Sequence, residues 1–545
     1  MKRFKNLLEN IGGGANVAII VLLFVFFLFD KLVFFDTPKA LNLNGWIGLF
    51  YSMIPWALAG MIPLWVLGRH ARFVYWVLAP IAIVLECVEW FARLNFHMAL
   101  TGSWLGIFMA SSPAEMKWFI GQYLSLTAVF CFLGIAALIA FACWCISLAK
   151  SSKVTRASLV AAAFSVLLFV YGNRLPYGGF YETTRTFPAI HIIPSTVVNF
   201  MTQCNLGRMK IHPQLPATIR AAASTNEAVT GIFVLGESAT RGHWGLYGYP
   251  RNTTPEMAAL GAELTVFTDL VTTDGATSDA MRSLFTTRTI EKRSDVRYSM
   301  PQALRACGFD AAVFSNQWRW DGFDSDEAYS FAGCDPFLCM SECGETNGYD
   351  SVLLKYLDRS LATTKGSRVV FLHLMGSHGD CRDRYPWENL PFGAETNKAI
   401  AKSTRKANVD DYDNSVWYTD KILGEVVRRA RALHKPAWVI YVPDHGETPS
   451  SSNWRLATDP DLWNLPFIVW TSPEFNAQYP ERVAALRRAK DKPLQSDQLL
   501  YGLLRFMGVE GLGVSPSEDF LDDSFLPRRP RRVQGGAAVC PGEAR

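Results

Sequence analysis

The stretch Gly231–Leu235 (GIFVL) is a short apolar run that ends at Gly236-Glu237-Ser238. Similar runs recur along the chain, with helical segments such as Asp411–Ala432 between them: Ala311–Phe314 (AAVF), Val369–Leu372 (VVFL) and Trp438–Val442 (WVIYV). Short apolar runs that alternate with helices are typical of buried parallel strands. The sequence therefore predicts an α/β sandwich, a fold whose ligands gather at the carboxyl ends of the strands.

Polar side chains follow each of these predicted strands. They are, in chain order, Glu237, Asn316, His373 with His378, and Asp444 with His445. Because the carboxyl ends of parallel strands share one edge of a sheet, we expect these residues to converge. Carboxylate and imidazole groups together suit zinc or a similar divalent ion. The sequence therefore predicts a metal site at this edge.

Gly275-Ala276-Thr277-Ser278 precedes a predicted helix that runs from about Ser278 to Phe285. A hydroxyl at a helix N-terminus lies in a field that favours an anion. A coordinated metal would lower the pKa of that hydroxyl enough to make it a nucleophile. Two alternatives remain open: Thr277 or Ser278 is only an N-cap, or Ser238, which adjoins Glu237, is the reacting hydroxyl.

The first 172 residues have a different composition from the rest of the chain. Five apolar stretches occur there, most of them near the roughly 20 residues that cross a bilayer: Ala15–Phe35, Trp46–Leu67, Phe73–Leu94, Trp118–Leu148 and Ala157–Tyr171. Basic residues lie in alternate loops, which the positive-inside rule makes cytoplasmic. We expect a membrane domain of five transmembrane helices over 1–172, with the remainder outside.

The outer part then divides into a surface connector (173–225), a catalytic domain (226–526) and a basic, disordered tail (527–545) that contains PRRPRR. A net charge of +4 is too small to indicate nucleic-acid binding. In an oxidising compartment, Cys334, Cys339 and Cys343 are close enough in sequence for a local disulfide. A zinc site in that cluster is a poorer alternative because no histidine lies near it.

Several motifs resemble the signature of membrane phosphoethanolamine transferases and occur in the order of that family. They are GESATR (Gly236–Arg241) continuing through LYGY and RNTTP, HLMGSH (His373–His378), YDNSVWYTD (Tyr412–Asp420) and DHGE (Asp444–Glu447). The resemblance covers nearly the whole chain. It implies an alkaline-phosphatase/sulfatase-type α/β domain in the periplasm, carried by a five-helix domain in the bacterial inner membrane.

The resemblance also implies an activity and its residues. Phosphoethanolamine would pass from phosphatidylethanolamine to a lipopolysaccharide saccharide through a phosphothreonine intermediate. Matched by motif, Thr277 is the nucleophile and a metal ligand, and the other zinc ligands are Glu237, Asp444 and His445. The substrate-binding residues would be His378 and Asn316 near the phosphate, with Glu115 and Ser112 of the SSPAE loop near the head group.

Two departures from the family pattern bear on the metal and the acceptor. Many relatives place a histidine about a dozen residues after DHGE, but residues 448–465 contain none. One zinc ion is therefore expected, a second stays open, and Arg455 is a candidate phosphate ligand. Ser315-Asn316-Gln317 and LYGYPRNTTP favour a core heptose over lipid A as the acceptor. The sequence leaves the oligomeric state undetermined.

Enzymes with other activities share this fold class and are alternatives to the transferase. A glycerol-phosphate transferase or polymerase of the lipoteichoic acid type would use phosphatidylglycerol, and a metal-dependent phosphodiesterase would release phosphoethanolamine to water. A sulfatase needs a C/S-x-P-x-R box, and none occurs here. A membrane receptor or transporter component is the non-catalytic alternative, for which Glu86 and Glu89 within a predicted span are the relevant residues.

Overall fold

The computed structural model describes residues 213–222, 228–317, 329–340, 348–362, 366–393, 407–449, 459–528 and 530–533, with Ala538, Val539 and scattered single positions. Most of the predicted membrane spans and of the connector, and the candidates Ser112, Glu115 and Arg455, lie outside them. Within the described part of the chain, no helix combines the length and hydrophobicity needed to cross a bilayer. The described residues from 213 onwards belong to one compact unit.

Within the described residues, that unit contains the following strands and α-helices. The strands are β1 (Arg220–Ala221), β2 (Thr230–Gly236), β3 (Leu264–Val271), β4 (Asp310–Ser315), β5 (Phe337–Cys339), β6 (Arg368–His373), β7 (Ala437–Pro443), β8 (Asn464–Thr471), β9 (Leu494–Gln495), β10 (Val509–Glu510), β11 (Arg531–Arg532) and β12 (Ala538–Val539). The α-helices are α1 (Pro255–Ala259), α2 (Thr277–Phe285), α3 (Met300–Ala306), α4 (Val352–Ala362), α5 (Val409–Arg431), α6 (Pro473–Gln478), α7 (Pro480–Ala489) and α8 (Leu499–Met507).

An eight-stranded sheet runs in the order β5-β4-β6-β2-β7-β8-β3-β9. The strands from β5 to β7 are parallel to one another, whereas β8 is antiparallel to both of its neighbours. The four apolar runs identified in the sequence are β2, β4, β6 and β7, and in the sheet they are neighbours in the order β4-β6-β2-β7. The prediction of an α/β domain built on buried parallel strands is confirmed.

The carboxyl ends of these four strands are level with one another. His373 at the end of β6 pairs with both Leu235 and Ser315, and Gly236 pairs with Pro443. The residues that follow the strands therefore emerge side by side. This register explains why polar residues far apart in sequence reach the same edge of the sheet.

Helices pack on both faces of the sheet. On one face, the ring of Phe285 in α2 lies 5.1 Å from that of Phe233 in β2. Burying one such side chain contributes about 1.5–3 kcal/mol. On the other face, α5 packs on β2 and β7. It begins at a capping box, in which the Asn408 side chain accepts from Asp411 N and the Asp411 side chain accepts from Asn408 N.

The structure differs from two expectations about the outer part. Arg531, in the segment expected to be a disordered tail, is 1% exposed and donates to Asp269 Oδ1 at 2.8 Å. An ion pair between this buried guanidinium and the partly exposed Asp269 holds the segment on the sheet. The expected disulfide among Cys334, Cys339 and Cys343 is not formed in the described part of the chain. Cys334 and Cys339 instead lie in and beside β5, where they are partly or fully buried.

Candidate metal centre

Glu237, Asp444 and His445 lie together at the carboxyl ends of β2 and β7, and all three are buried. His445 Nε2 lies 3.5 Å from Glu237 Oε1 and 3.4 Å from Asp444 Oδ2. Ligand atoms bound to zinc in a tetrahedron at about 2.0–2.1 Å are about 3.3 Å apart. The spacing and chemistry of these donors therefore fit a zinc ion.

Local hydrogen bonds orient the three side chains towards one another. His445 Nδ1 lies 2.7 Å from Gly446 O, a carbonyl that can only accept, so Nδ1 carries the proton and Nε2 presents its lone pair. Asp444 Oδ1 accepts from the backbone N–H groups of Ser238 and His445 at 3.2 and 2.7 Å. These bonds turn Asp444 Oδ2 towards the cluster.

The electrostatics favour the ionised form of Asp444. Burial of the carboxyl raises its pKa, but the charge of His445 in its protonated form and the backbone N–H donors more than offset this, so the pKa of Asp444 lies below its ordinary value. A carboxylate in this state is ready to bind a cation. Among the described residues, no second group of three such ligands occurs.

Thr277 is the first residue of α2, and its Oγ1 donates to Glu237 Oε2 at 3.2 Å. The N-cap of this helix is Ala276, which makes no side-chain capping bond. The alternative that Thr277 or Ser278 is an N-cap is therefore wrong. The half-buried hydroxyl lies beside the three candidate metal ligands and at the positive end of a helix dipole.

Ser238, the competing hydroxyl, is fully buried and its Oγ donates to Glu237 Oε1 at 2.7 Å. Its φ of +54° lies in the left-handed region, which is strained for a residue other than glycine. Tyr412 in α5 holds this turn, because its hydroxyl donates to Ser238 O at 2.8 Å and accepts from Thr240 N at 2.9 Å. Burial raises the pKa of Tyr412 well above its ordinary value, so the phenol stays protonated and can donate.

The HLMGSH loop packs directly on Glu237, the first of the candidate ligands. Ser377 N donates to Glu237 O at 3.0 Å. Gly376 has a φ of +50°, and a methyl group there would lie 2.5 Å from Glu237 O, so only glycine fits. Asp350 secures the loop by accepting from Met375 N and Gly376 N at 2.8 and 3.0 Å. His378, the predicted phosphate-binding residue, follows Ser377 and is half-buried.

Asn316 and Gln317 follow β4, and only the first was singled out from the sequence. Asn316 Nδ2 donates to Gly348 O and to Asp350 Oδ1, at 3.1 and 2.8 Å. These contacts make Asn316 a support of the HLMGSH loop, and its predicted contact with phosphate stays a prediction. Gln317 Nε2 donates to Glu237 Oε2 at 3.3 Å. Gln317 lies just after the end of a predicted strand, and this position is the signal by which the sequence could have identified it.

The profile of the Sulfatase family matches residues 230–509 of the chain. Among curated proteins, the phosphoethanolamine transferase EptC of Escherichia coli (strain K12) is 25% identical over 319 residues, which cover 55% of this chain and 55% of that protein. The chain thus spans about half the length of the curated relatives it matches.

Solved structures share the fold. The integral membrane protein lipooligosaccharide phosphoethanolamine transferase A (EptA) of Neisseria meningitidis superposes with a TM-score of 0.67 at 20% identity, over 93% of this chain and 97% of that one. The C-terminal periplasmic domain of E. coli EptC in complex with zinc superposes with a TM-score of 0.51 at 24% identity, over 58% and 92%. The likeness shows the α/β fold.

Proposed function

The chain belongs to the sulfatase family, and from that premise we propose that it transfers phosphoethanolamine from phosphatidylethanolamine to a saccharide of lipopolysaccharide. The observation that carries the proposal is the hydroxyl of Thr277, placed 3.2 Å from a carboxylate of the Glu237–Asp444–His445 cluster. The similarity to a curated phosphoethanolamine transferase supports the choice of the transferred group.

The first step forms a covalent enzyme. Thr277 Oγ attacks the phosphorus of phosphatidylethanolamine, and the bond from phosphorus to the diacylglycerol oxygen breaks. Glu237 Oε2, which accepts the hydrogen bond from Thr277, orients the oxygen lone pair towards the donor. The hydroxyl proton leaves with the diacylglycerol oxygen, so phosphoethanolamine remains as an ester on Thr277. Zinc bound by the three ligands would lower the pKa of the hydroxyl and neutralise charge on the phosphoryl group.

The second step reverses the bond changes with a new alcohol. An acceptor sugar hydroxyl attacks the phosphorus of the phosphothreonine, the bond to Thr277 Oγ breaks, and the acceptor proton returns to that oxygen. His378 follows the loop residue that bonds to Glu237 O, so it is the candidate to contact the transferred phosphate. Water as the acceptor would give a phosphodiesterase instead.

The finer features of the proposal rest on the sequence. They comprise a core heptose as the preferred acceptor, a five-helix inner-membrane domain over 1–172 with the later residues in the periplasm, and roles for Ser112 and Glu115 at the head group and Arg455 at the phosphate. A membrane domain would confine the enzyme to the plane in which the lipid donor diffuses, which raises the frequency of encounter.

The test uses the full chain reconstituted in vesicles of phosphatidylethanolamine with a labelled head group. With lipopolysaccharide present, label should pass to the saccharide, and fragmentation of the product identifies the sugar. Without acceptor, label should remain on a peptide that contains Thr277. Rapid release of free phosphoethanolamine with or without acceptor would reject transfer in favour of hydrolysis.

Donor choice separates the remaining candidate function. Vesicles of phosphatidylglycerol replace phosphatidylethanolamine in a parallel reaction, and intact-mass measurement of the trapped enzyme identifies the adduct. Phosphoethanolamine on the enzyme supports the proposal. A glycerol-phosphate adduct as the main product would instead indicate a transferase of the lipoteichoic acid type.

A further inference from the structure

A segment near the C-terminal end of the described residues forms a strap on the α/β domain. We define the C-terminal strap as Arg528 together with residues 530–533. Arg528 pairs with Asp497 and lies 3.3 Å from Glu291 Oε2. Gln495 Nε2 donates to Arg532 O at 2.7 Å. These contacts attach the strap to the edge strand β9 and to residues near it.

Arg531 attaches the strap to the sheet itself. Its side chain is 1% exposed, and NH1 donates to Asp269 Oδ1 in β3 at 2.8 Å. A buried guanidinium is costly unless a carboxylate lies against it, so the pairing fixes the position of the backbone on either side. The next residue, Arg532, is exposed. Arg531 therefore has a structural role, whereas Arg532 faces solvent.

Val533 then enters a small apolar cluster with Leu462 and Trp463. The three side chains are 1%, 3% and 5% exposed, and they form a cluster separate from the main core. Removing Val533 would leave Leu462 and Trp463 without the side chain that closes the cluster. This is the apolar contact through which the strap reaches the metal centre.

Leu462 and Trp463 contact both loops that carry reacting groups. Leu462 O accepts from Gly446 N at 2.9 Å, directly after the ligand His445. Trp463 O accepts from Thr272 N at 2.9 Å, at the start of the loop that leads to Thr277. A methyl group at Gly275 would lie 3.3 Å from Leu462 Cδ2 and 3.5 Å from Trp463 Cη2, so their side chains also pack against that loop.

We propose that the C-terminal strap is a positioning element of the metal centre, which holds His445 and Thr277 in register by packing Val533 against Leu462 and Trp463. The inference deepens the proposed function and, for its catalytic consequence, rests on it. Its consequence for zinc binding does not, because His445 is a ligand in the cluster whatever substrate is used.

The test compares zinc affinity, the melting temperature of the metal-free protein and formation of the Thr277 adduct in full-length variants. Val533→Asp should weaken zinc affinity about 10-fold or more, as loss of a group that supports a ligand usually does. Val533→Ala should weaken it less, and it provides a folded variant if the aspartate prevents folding. Arg532→Ala is the matched control on the same strap and should behave as wild type.

A second control separates positioning from general destabilisation. Val426 is fully buried in the C-terminal half of α5, so Val426→Ala removes the same atoms from a core position outside the cluster. It should lower the melting temperature and leave zinc affinity unchanged. Equal loss of zinc affinity in Val426→Ala and Val533→Ala would overturn the proposal, as would wild-type affinity in both Val533 variants. If wild-type enzyme forms no adduct, the transferase proposal fails while the zinc comparison still decides the role of the strap.

Discussion

Thr277 Oγ1 and Glu237 Oε2 lie 3.2 Å apart, although 40 positions separate the two residues in the chain. Glu237 follows a central strand, whereas Thr277 begins a helix whose far end is anchored by Phe285 in the core. The hydroxyl is therefore held against a candidate metal ligand by two rigid elements. This arrangement is what a nucleophile activated at a metal requires.

Thr277→Ala should abolish transfer, with a loss of about 10³-fold or more in kcat, because no covalent adduct can form. Zinc content should persist, since Glu237, Asp444 and His445 remain. Ser238→Ala is the matched comparison and should retain the adduct, because it removes a hydrogen bond to Glu237 Oε1 but leaves the hydroxyl of Thr277 in place. Label appearing on Ser238 in the Thr277 variant would reassign the nucleophile.

Asp444→Asn and His445→Ala should each lower zinc affinity by at least about 100-fold, because they remove ligands rather than supporting groups. Metal content after dialysis and a competition titration measure the effect. Asp310→Asn, which alters an exposed carboxylate at the opposite edge of the sheet, is the control and should bind zinc as wild type does. Unchanged zinc content in the Asp444 and His445 variants would reject these ligands.

Tyr412→Phe should destabilise the fold by about 2 kcal/mol and weaken zinc binding, because it leaves buried Thr240 N and Ser238 O without the phenol. Thermal denaturation of metal-free protein measures the first effect. Tyr501→Phe removes a half-buried hydroxyl that bonds to Arg297 and should change the melting temperature little. Equal stability of both variants would show that Tyr412 does not hold the strained turn.

Asp420 should make stability depend on pH. Burial raises the pKa of Asp420 to about 7, although its carboxylate accepts hydrogen bonds from the N–H groups of Glu256 and Met257, which lower the pKa. An unfolded aspartate titrates near pH 4, so between about pH 4 and 7 the folded state binds the extra proton. The free energy of unfolding should therefore fall as pH rises through this window, by up to about 1.4 kcal/mol per pH unit from this group.

The measurement compares melting temperatures of wild type and Asp420→Asn at several values between pH 4.5 and 8, a range set by the window of about pH 4 to 7. The variant should show a weaker decline over this range, and the two curves should run parallel above about pH 7. Curves that are parallel throughout would mean that Asp420 keeps an ordinary pKa in the folded protein.

The sequence predicted the sheet better than it predicted the periphery. Runs such as Gly231–Leu235 are apolar on both faces, and only buried parallel strands accommodate that pattern. The polar residues after them were expected at one edge, and the register places Glu237 and Asp444 there. The tail was misjudged because PRRPRR has the composition of a solvated segment. Nothing local in it predicts that Arg531 meets Asp269 across 262 positions.

What the sequence determined by itself is the set of elements and of reactive side chains, since hydrophobic pattern and residue type are local properties. Tertiary structure alone decided which atoms meet. Tyr412 donates a hydrogen bond to the turn at Ser238, and Gln317 donates one to Glu237. Val533 packs in the apolar cluster beside the loops of Thr277 and His445. Each of these contacts joins segments that are far apart in the chain and meet only when the sheet and helices pack. Their free energy comes from burial and hydrogen bonding between those segments, so it cannot be read from any one segment.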